Sequence, residues 1–132
     1  MAKARKAKEV SFTMPNKVGL LSEATTAIAG AKVNITAICA YGMGNTAYFM
    51  LTTNSNTKAK KALEPLGIVI EERDVVEIEV PDKPGALQKI AKKIAEAGID
   101  IEYMYATASS GKKETCIFMT ADNHRAIKVI NQ

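Results

Sequence analysis

Apolar and polar side chains alternate in two short runs of the chain. Val10, Phe12 and Met14 alternate with Ser11 and Thr13, and Val76, Ile78 and Val80 alternate with Glu77 and Glu79. A period of two predicts a half-buried strand. A helical period follows each run. Leu87, Ile90, Ala91 and Ile94 fall at i, i+3, i+4 and i+7, and Leu21, Ala24, Thr25 and Ile28 hold the same places earlier, which predicts an amphipathic helix. Gly98 offers the left-handed cap that ends the later helix, whereas Lys32 must take that conformation with a Cβ. Two strands come next in each copy, over residues 33–40 with 46–52 and 99–107 with 114–120. Gly42-Met43-Gly44-Asn45 and Ser109-Ser110-Gly111 join them as hairpin turns. A second helix is expected to begin with Asn56 or Asn123 as its cap. In the first copy Pro65 and Gly67 close that helix, and residues 68–70 make a last strand.

The two halves are one sequence written twice. Val10, Pro15, Lys17, Gly19, Leu21, Ile28, Ala29, Ala31, Ile35 and Ala40 recur as Val76, Pro81, Lys83, Gly85, Leu87, Ile94, Ala95, Ala97, Ile101 and Ala106. Tyr48-Phe49-Met50-Leu51-Thr52 then matches Cys116-Ile117-Phe118-Met119-Thr120. Each unit reads βαββαβ, an α+β ferredoxin-like fold with its helices on one face of an antiparallel sheet. The expected domains are residues 9–72 and 73–132, after a basic flexible tail over residues 1–8. The second copy reaches Gln132 directly after its second helix, so no last strand is evident in it. A sheet edge left open there would offer unpaired backbone groups to a partner.

Charge changes this picture little. The net charge of +4 matches the four cations Lys3, Arg5, Lys6 and Lys8 at the start, and the rest of the chain is balanced. Hydrophobic residues at 47% and charged residues at 24% are ordinary for a globular protein. Residues 33–57 carry no charge, but Asn34, Thr36, Gly42, Gly44 and Asn45 interrupt them, so no membrane span is expected. No secretory leader is signalled either, and the cytoplasm is the expected location. Cys39 and Cys116 lie in different strands without a CxxC or His/Cys cluster, the pattern of buried thiols rather than of zinc or redox chemistry.

Catalytic chemistry has little to work with. His124 is the single histidine and sits at an expected helix start; no serine or cysteine partners it in a triad. Gly42-Met43-Gly44 is half of a dinucleotide fingerprint but falls in a hairpin, the wrong context. No catalytic residue, metal or cofactor is therefore assigned. What remains is the corner used twice, Met14-Pro15-Asn16-Lys17-Val18-Gly19-Leu20-Leu21 and Val80-Pro81-Asp82-Lys83-Pro84-Gly85-Ala86-Leu87. Each leads from a strand into a helix whose first amides have no intrahelical partner and suit a small anion. A zwitterionic amino acid fits, with its carboxylate on those amides and its ammonium near Asn16 or Asp82. A plain structural turn, with the Asx as helix cap, is the competing reading.

The corner, the Ala-rich helix and the entries Val33-Asn34-Ile35 and Gly98-Ile99-Asp100-Ile101 resemble the ACT domain, a small amino-acid-sensing regulatory module. Ile101-Glu102-Tyr103-Met104-Tyr105 is similar to stand-alone tandem ACT proteins of bacteria. The resemblance implies ligand sites between the corner of one domain and the second strand of its neighbour. They would comprise Asn16, Val18, Gly19 and Leu20 with Asn34 and Ile35, and Asp82, Pro84, Gly85 and Ala86 with Asp100 and Ile101. Asn16 and Asn34 are neutral where Asp82 and Asp100 are charged, so the first site should accept a carboxylate with less repulsion. Val18 and Lys32 stand where the family has proline and glycine. Edge strands of neighbouring units are implied to pair, within the chain or in a homodimer. Docking on a biosynthetic enzyme such as acetohydroxyacid synthase is the alternative role. RNA binding would need a Lys/Arg-Gly-Phe-type strand, which neither Thr46-Ala47-Tyr48-Phe49-Met50 nor Thr115-Cys116-Ile117-Phe118-Met119 supplies, so a nucleic-acid partner is not expected.

Overall fold

Two strands run farther than the alternating pattern foretells. In the computed structural model, which describes residues 2–108 and 111–132, β1 spans Lys3–Pro15 and β4 spans Ile70–Pro81. Between and after them lie α1 (Leu20–Gly30), β2 (Ile35–Met43), β3 (Thr46–Thr53), α2 (Asn56–Leu63), α3 (Ala86–Glu96), β5 (Ile101–Ala108), β6 (Lys113–Thr120) and α4 (Asn123–Asn131). A single 3₁₀ turn, Glu64–Leu66, follows α2, and Gly67 closes it at φ 70°. The chain divides into two compact units, Lys8–Arg73 and Met1–Ala7 with Asp74–Gln132. Each long strand thus serves one unit with its first part and the other with its last.

In the first unit β3 lies between β1 and β2, antiparallel to both, with Phe12 opposite Phe49 and Cys39 opposite Met50. Val10, Phe12 and Met14 point to the helices and join Leu20, Ala24 and Ile28 of α1, Phe49 and Leu51 of β3, and Ala59 and Leu63 of α2. The Phe12 and Phe49 rings stack at 4.8 Å. In the second unit β6 lies between β4 and β5, with Ile78 opposite Cys116 and Ala106 opposite Cys116 on the far side, as Phe12 and Ala40 flank Phe49 in the first. Phe49 rather than Tyr48 is thus the counterpart of Cys116, one residue from the sequence match. Val76, Ile78, Val80, Ile90, Ile94, Phe118 and Ile130 fill its core. Full burial of each such aliphatic side chain contributes about 1.5–3 kcal/mol.

The helical stripe is rotated from its expected position. Leu20, Ala24 and Ile28 are buried in α1, and Ala86, Ile90 and Ile94 in α3. Leu21 and Leu87 remain 53% and 40% exposed. The left-handed glycine before each helix sets which residue of the first turn meets the sheet, and periodicity alone does not carry that angle. Lys32 ends α1 at φ 59° and Gly98 ends α3 at φ 70°, as expected.

The expected basic tail is strand from Lys3 onward, and it supplies what the second copy lacked. Strand order in that unit is β1-β4-β6-β5. Ala4 is buried in the second core. Its amide donates to Asn131 Oδ1 at 2.7 Å, and its carbonyl accepts from Asn131 Nδ2 at 2.9 Å. Lys3 and Arg5 point outward, and Arg5 pairs with Glu77. The period of two is present in Ala2, Lys3, Ala4 and Arg5, but alanines give it little hydrophobic contrast.

Helix caps also shift by one residue. Ser55 and Asp122 cap α2 and α4 through Lys58 N at 3.4 Å and Arg125 N at 3.1 Å. Asn56 and Asn123 instead tie each helix to a strand, donating to Lys8 O at 3.1 Å and Asp74 O at 3.0 Å. Of the second hairpin turn, Gly111 takes φ 78°, and residues 109 and 110 lie outside the described residues.

Candidate functional site

Each corner is held by the hairpin next to it. Pro15 ends the β1 ladder opposite Thr46. Asn16 N then donates to Asn45 O at 2.8 Å, and Asn16 Nδ2 reaches Gly44 O at 3.3 Å. Asp82 N makes the equivalent bond to Lys112 O at 2.9 Å. Gly42 gives the Asn16 side chain its room, because a Cβ there would lie 2.8 Å from Asn16 Nδ2. Sequence reasoning missed these hairpin contributors; the Gly42-to-Asn45 turn was visible, but its register against the corner was not.

The chain then enters the left-handed region. Gly19 and Gly85 stand at φ 94° and φ 86° as the N-cap residues of α1 and α3, and no side chain caps either helix. The Asx residues therefore do not act as helix caps, and the first-turn amides stay open to an anion, for which the helix dipole adds about 0.3–1 kcal/mol. The corners differ in their hydrogen bonds, and Lys83 N donates to Pro81 O at 3.0 Å in the second alone. Ala86 N is taken by Lys83 O at 3.2 Å in the second, which leaves that helix with one amide fewer for a ligand.

Asn16, Val18 and Gly19 are exposed, Val18 completely, whereas Leu20 is buried beneath them. Asp82, Pro84 and Gly85 are exposed and Ala86 is buried. Asn34 and Asp100 are exposed at the entries of β2 and β5, with Asn34 and Asn54 bonded through Asn34 N at 2.9 Å and Asn34 O at 3.0 Å. Ile35 and Ile101 pack partly against their cores. Within one unit the corner and the second-strand residues stay apart. Pro15 lies opposite Thr46 and Ile35 opposite Thr53, roughly 24 Å along β3 at ~3.4 Å per residue. Each unit brings together Asn16, Val18, Gly19 and Leu20, or Asp82, Pro84, Gly85 and Ala86; neither completes the twelve-residue expectation by itself.

Neither thiol is prepared as a nucleophile. Burial, with a smaller push from the Glu114 carboxylate, raises Cys116 to about 11, and burial followed by Glu9 raises Cys39. Among the described residues no group of three or more His, Cys, Asp or Glu is placed to hold a metal ion, and no helix is long and apolar enough to cross a membrane.

Duplicated ferredoxin-like units, each with a bare helix start behind a left-handed glycine, define a tandem α+β module. The chain belongs to the ACT domain family: the family described as the ACT domain pair matches residues 6–132. A crystal structure of a protein from Bacteroides thetaiotaomicron superimposes with a TM-score of 0.87 at 30% identity, over 97% of this chain and 88% of that one. The ligand-free regulatory subunit of aspartate kinase from Thermus thermophilus gives 0.69 at 18% identity, over 98% and 95%. A structure of aspartokinase alpha and beta subunits gives 0.68 at 20% identity over the same shares. At such identities the latter two establish likeness of fold. Comparison with curated proteins finds no match.

Proposed function

We propose that this ACT domain pair is a regulatory protein that binds a small amino acid and has no catalytic role of its own. The observation that carries the reading is the corner built twice: uncapped helix amides behind Gly19 and Gly85, braced by a hairpin. The carboxylate of the ligand meets the amides that open α1. Asn16 uses Nδ2 on Gly44 O, so its Oδ1 can accept from the ligand's ammonium. Val18, fully exposed, covers an apolar side chain. Asn34 and Ile35 of a neighbouring domain complete this site, and Asp100 and Ile101 complete the one at Asp82, Pro84, Gly85 and Ala86. The first site binds more tightly, since Asp82 adds repulsion and Lys83 O already occupies the Ala86 amide.

A neighbouring domain is required because the start of β2, where Asn34 and Ile35 stand, lies far from the corner of its own unit. β2 is an edge strand bonded to β3 alone, and it carries no charged residue to deter pairing. A homodimer joined through such edges supplies that neighbour, in a protein that works in the cytoplasm.

Isothermal titration with each of the twenty amino acids tests the reading. A hydrophobic amino acid is expected to bind in the micromolar to millimolar range, about −8 to −4 kcal/mol. Gly19→Asp abolishes that binding. Unchanged binding in this variant overturns the first site. Binding seen only once a biosynthetic enzyme co-purifies replaces the stand-alone sensor with a docking subunit.

A further inference from the structure

The second unit has a cleft on the other side of its corner. It encloses about 160 Å³ between the end of β4, α3 and the start of the chain. One water needs about 10–15 Å³ of such space, so the cleft has room for a small organic molecule. Its lining combines apolar residues, Ala2, Val80, Ala86 and Ile90 among them, with three lysines, Lys83, Lys89 and Lys93. No acidic residue lines it. Lys93 Nζ is held in place by the carbonyl oxygens of Ile130 at 3.2 Å and Gln132 at 3.0 Å. Lys83 and Lys89 have no ion-pair partner among the described residues.

The first unit shows what the same place looks like when it is neutralised. By repeat position Lys17 corresponds to Lys83, Glu23 to Lys89 and Ala27 to Lys93. Lys17 Nζ stands 3.7 Å from Glu23 Oε2, so the equivalent cation has its counter-ion supplied by the next turn of helix. In the second unit that acid is a lysine, and a further lysine replaces the alanine. Three lysines beside apolar side chains repel one another, and no acidic side chain lines the cleft to neutralise them.

We infer that this cleft binds a small amphipathic carboxylate, its anionic end among Lys83, Lys89 and Lys93 and its short hydrocarbon part on Val80, Ala86 and Ile90. The site is separate from the amino-acid site proposed above. Pro84 and Ala86 face both, but Asp82, Gly85, Asp100 and Ile101 do not line the cleft.

Isovalerate titrated into the isotopically labelled protein, followed by amide NMR, tests the inference. Shifts are expected at Ala86, Lys89 and Ile90, weakening with salt, while neutral isovaleramide produces none. Lys89→Glu recreates the Lys17–Glu23 arrangement at an exposed position and is expected to weaken isovalerate about tenfold or more, with the remaining amide spectrum unchanged. Adding lysines to the first unit by Glu23→Lys with Ala27→Lys is expected to bring new shifts at Leu20 and Ala24. Gly19→Asp, which removes the first amino-acid site, leaves isovalerate binding intact, and this separates the cleft from that first site. Equal shifts from isovalerate and isovaleramide, or an unchanged Lys89→Glu variant, overturn the inference. Inorganic phosphate binding as tightly as isovalerate overturns the amphipathic class of ligand.

Discussion

The two corners share a backbone and differ in charge. Pro15 and Pro81 end the strands, Gly19 and Gly85 take the same left-handed turn, and Ile28 and Ile94 lock the same helix face. Around this frame the first copy is neutral, with Asn16, Asn34 and the Lys17–Glu23 pair, whereas the second has Asp82, Asp100 and three lysines about its cleft. Residues that set φ or anchor the core repeat, and the exposed residues proposed to meet a ligand diverge. One fold can therefore present a zwitterion-compatible corner in one copy and an anion-compatible cleft in the other.

The largest expected effect concerns the strand each copy uses to complete its sheet. Ile68 and Ile70 pack partly against the first core, and Ala2 and Ala4 hold the corresponding places in the second. Ala4→Asp puts a carboxylate at a position 4% exposed. Burying an unpaired charge costs several kcal/mol, on the order of 3 here. Denaturant unfolding measures that loss, and hydrogen exchange should place it in β4 and β6 rather than in β2 and β3. A mobile tail would leave both unchanged.

That strand also marks how far the sequence could be read. Alternation at Val10–Met14 and Val76–Val80, the helical stripes and the recurring Pro-Asx-Lys-x-Gly corner made the duplicated ferredoxin-like fold legible, because strong apolar contrast and glycine demand leave a local trace. Ala2 and Ala4 leave almost none among Lys3, Arg5 and Lys6, since an alanine buries little surface to offset the charges beside it. Chain order hid it as well, for the missing piece of the later copy lies at the chain's start. At the corner, Gly19 and Gly85 were legible as turn residues. Their partners Gly44, Asn45 and Lys112 were not, because a strand pattern does not state its register against a loop. The lysines of the cleft stand at helix positions that sequence alone does not distinguish from a solvated face, and Glu23 at the matching place in the first copy supplies the contrast.

A middle-sized effect separates backbone from charge. Ala at position 19 or 85 meets no atom within 4 Å, so only the positive φ opposes it. Gly19→Ala and Gly85→Ala should each destabilise by about 1–2 kcal/mol, and by similar amounts, because the angles are 94° and 86°. Thermal unfolding measured side by side checks the equality. A cost confined to one copy would break the claim that the corners share one backbone while their chemistry differs.

The smallest effect is a pH dependence confined to the first unit. Glu72 lies beside Lys60, and the hydrogen bond from that ammonium holds its carboxyl below the usual range, burial opposing and the ammonium charge assisting. By repeat position Glu72 corresponds to Lys6 and Lys60 to Ile127, so the second unit has no ion pair at this place. A carboxyl whose folded pKa is depressed contributes stability above its unfolded value, near 4.3, and loses it as pH falls through the lower folded value. Both side chains are about one-third exposed, which limits the contribution to about 1 kcal/mol or less. Stability measured between neutral and acidic pH should therefore fall slightly less in Glu72→Gln than in the wild type. Hydrogen exchange should place the difference in amides of α2 and the first residues of β4, and an equal response in α4 would remove the asymmetry.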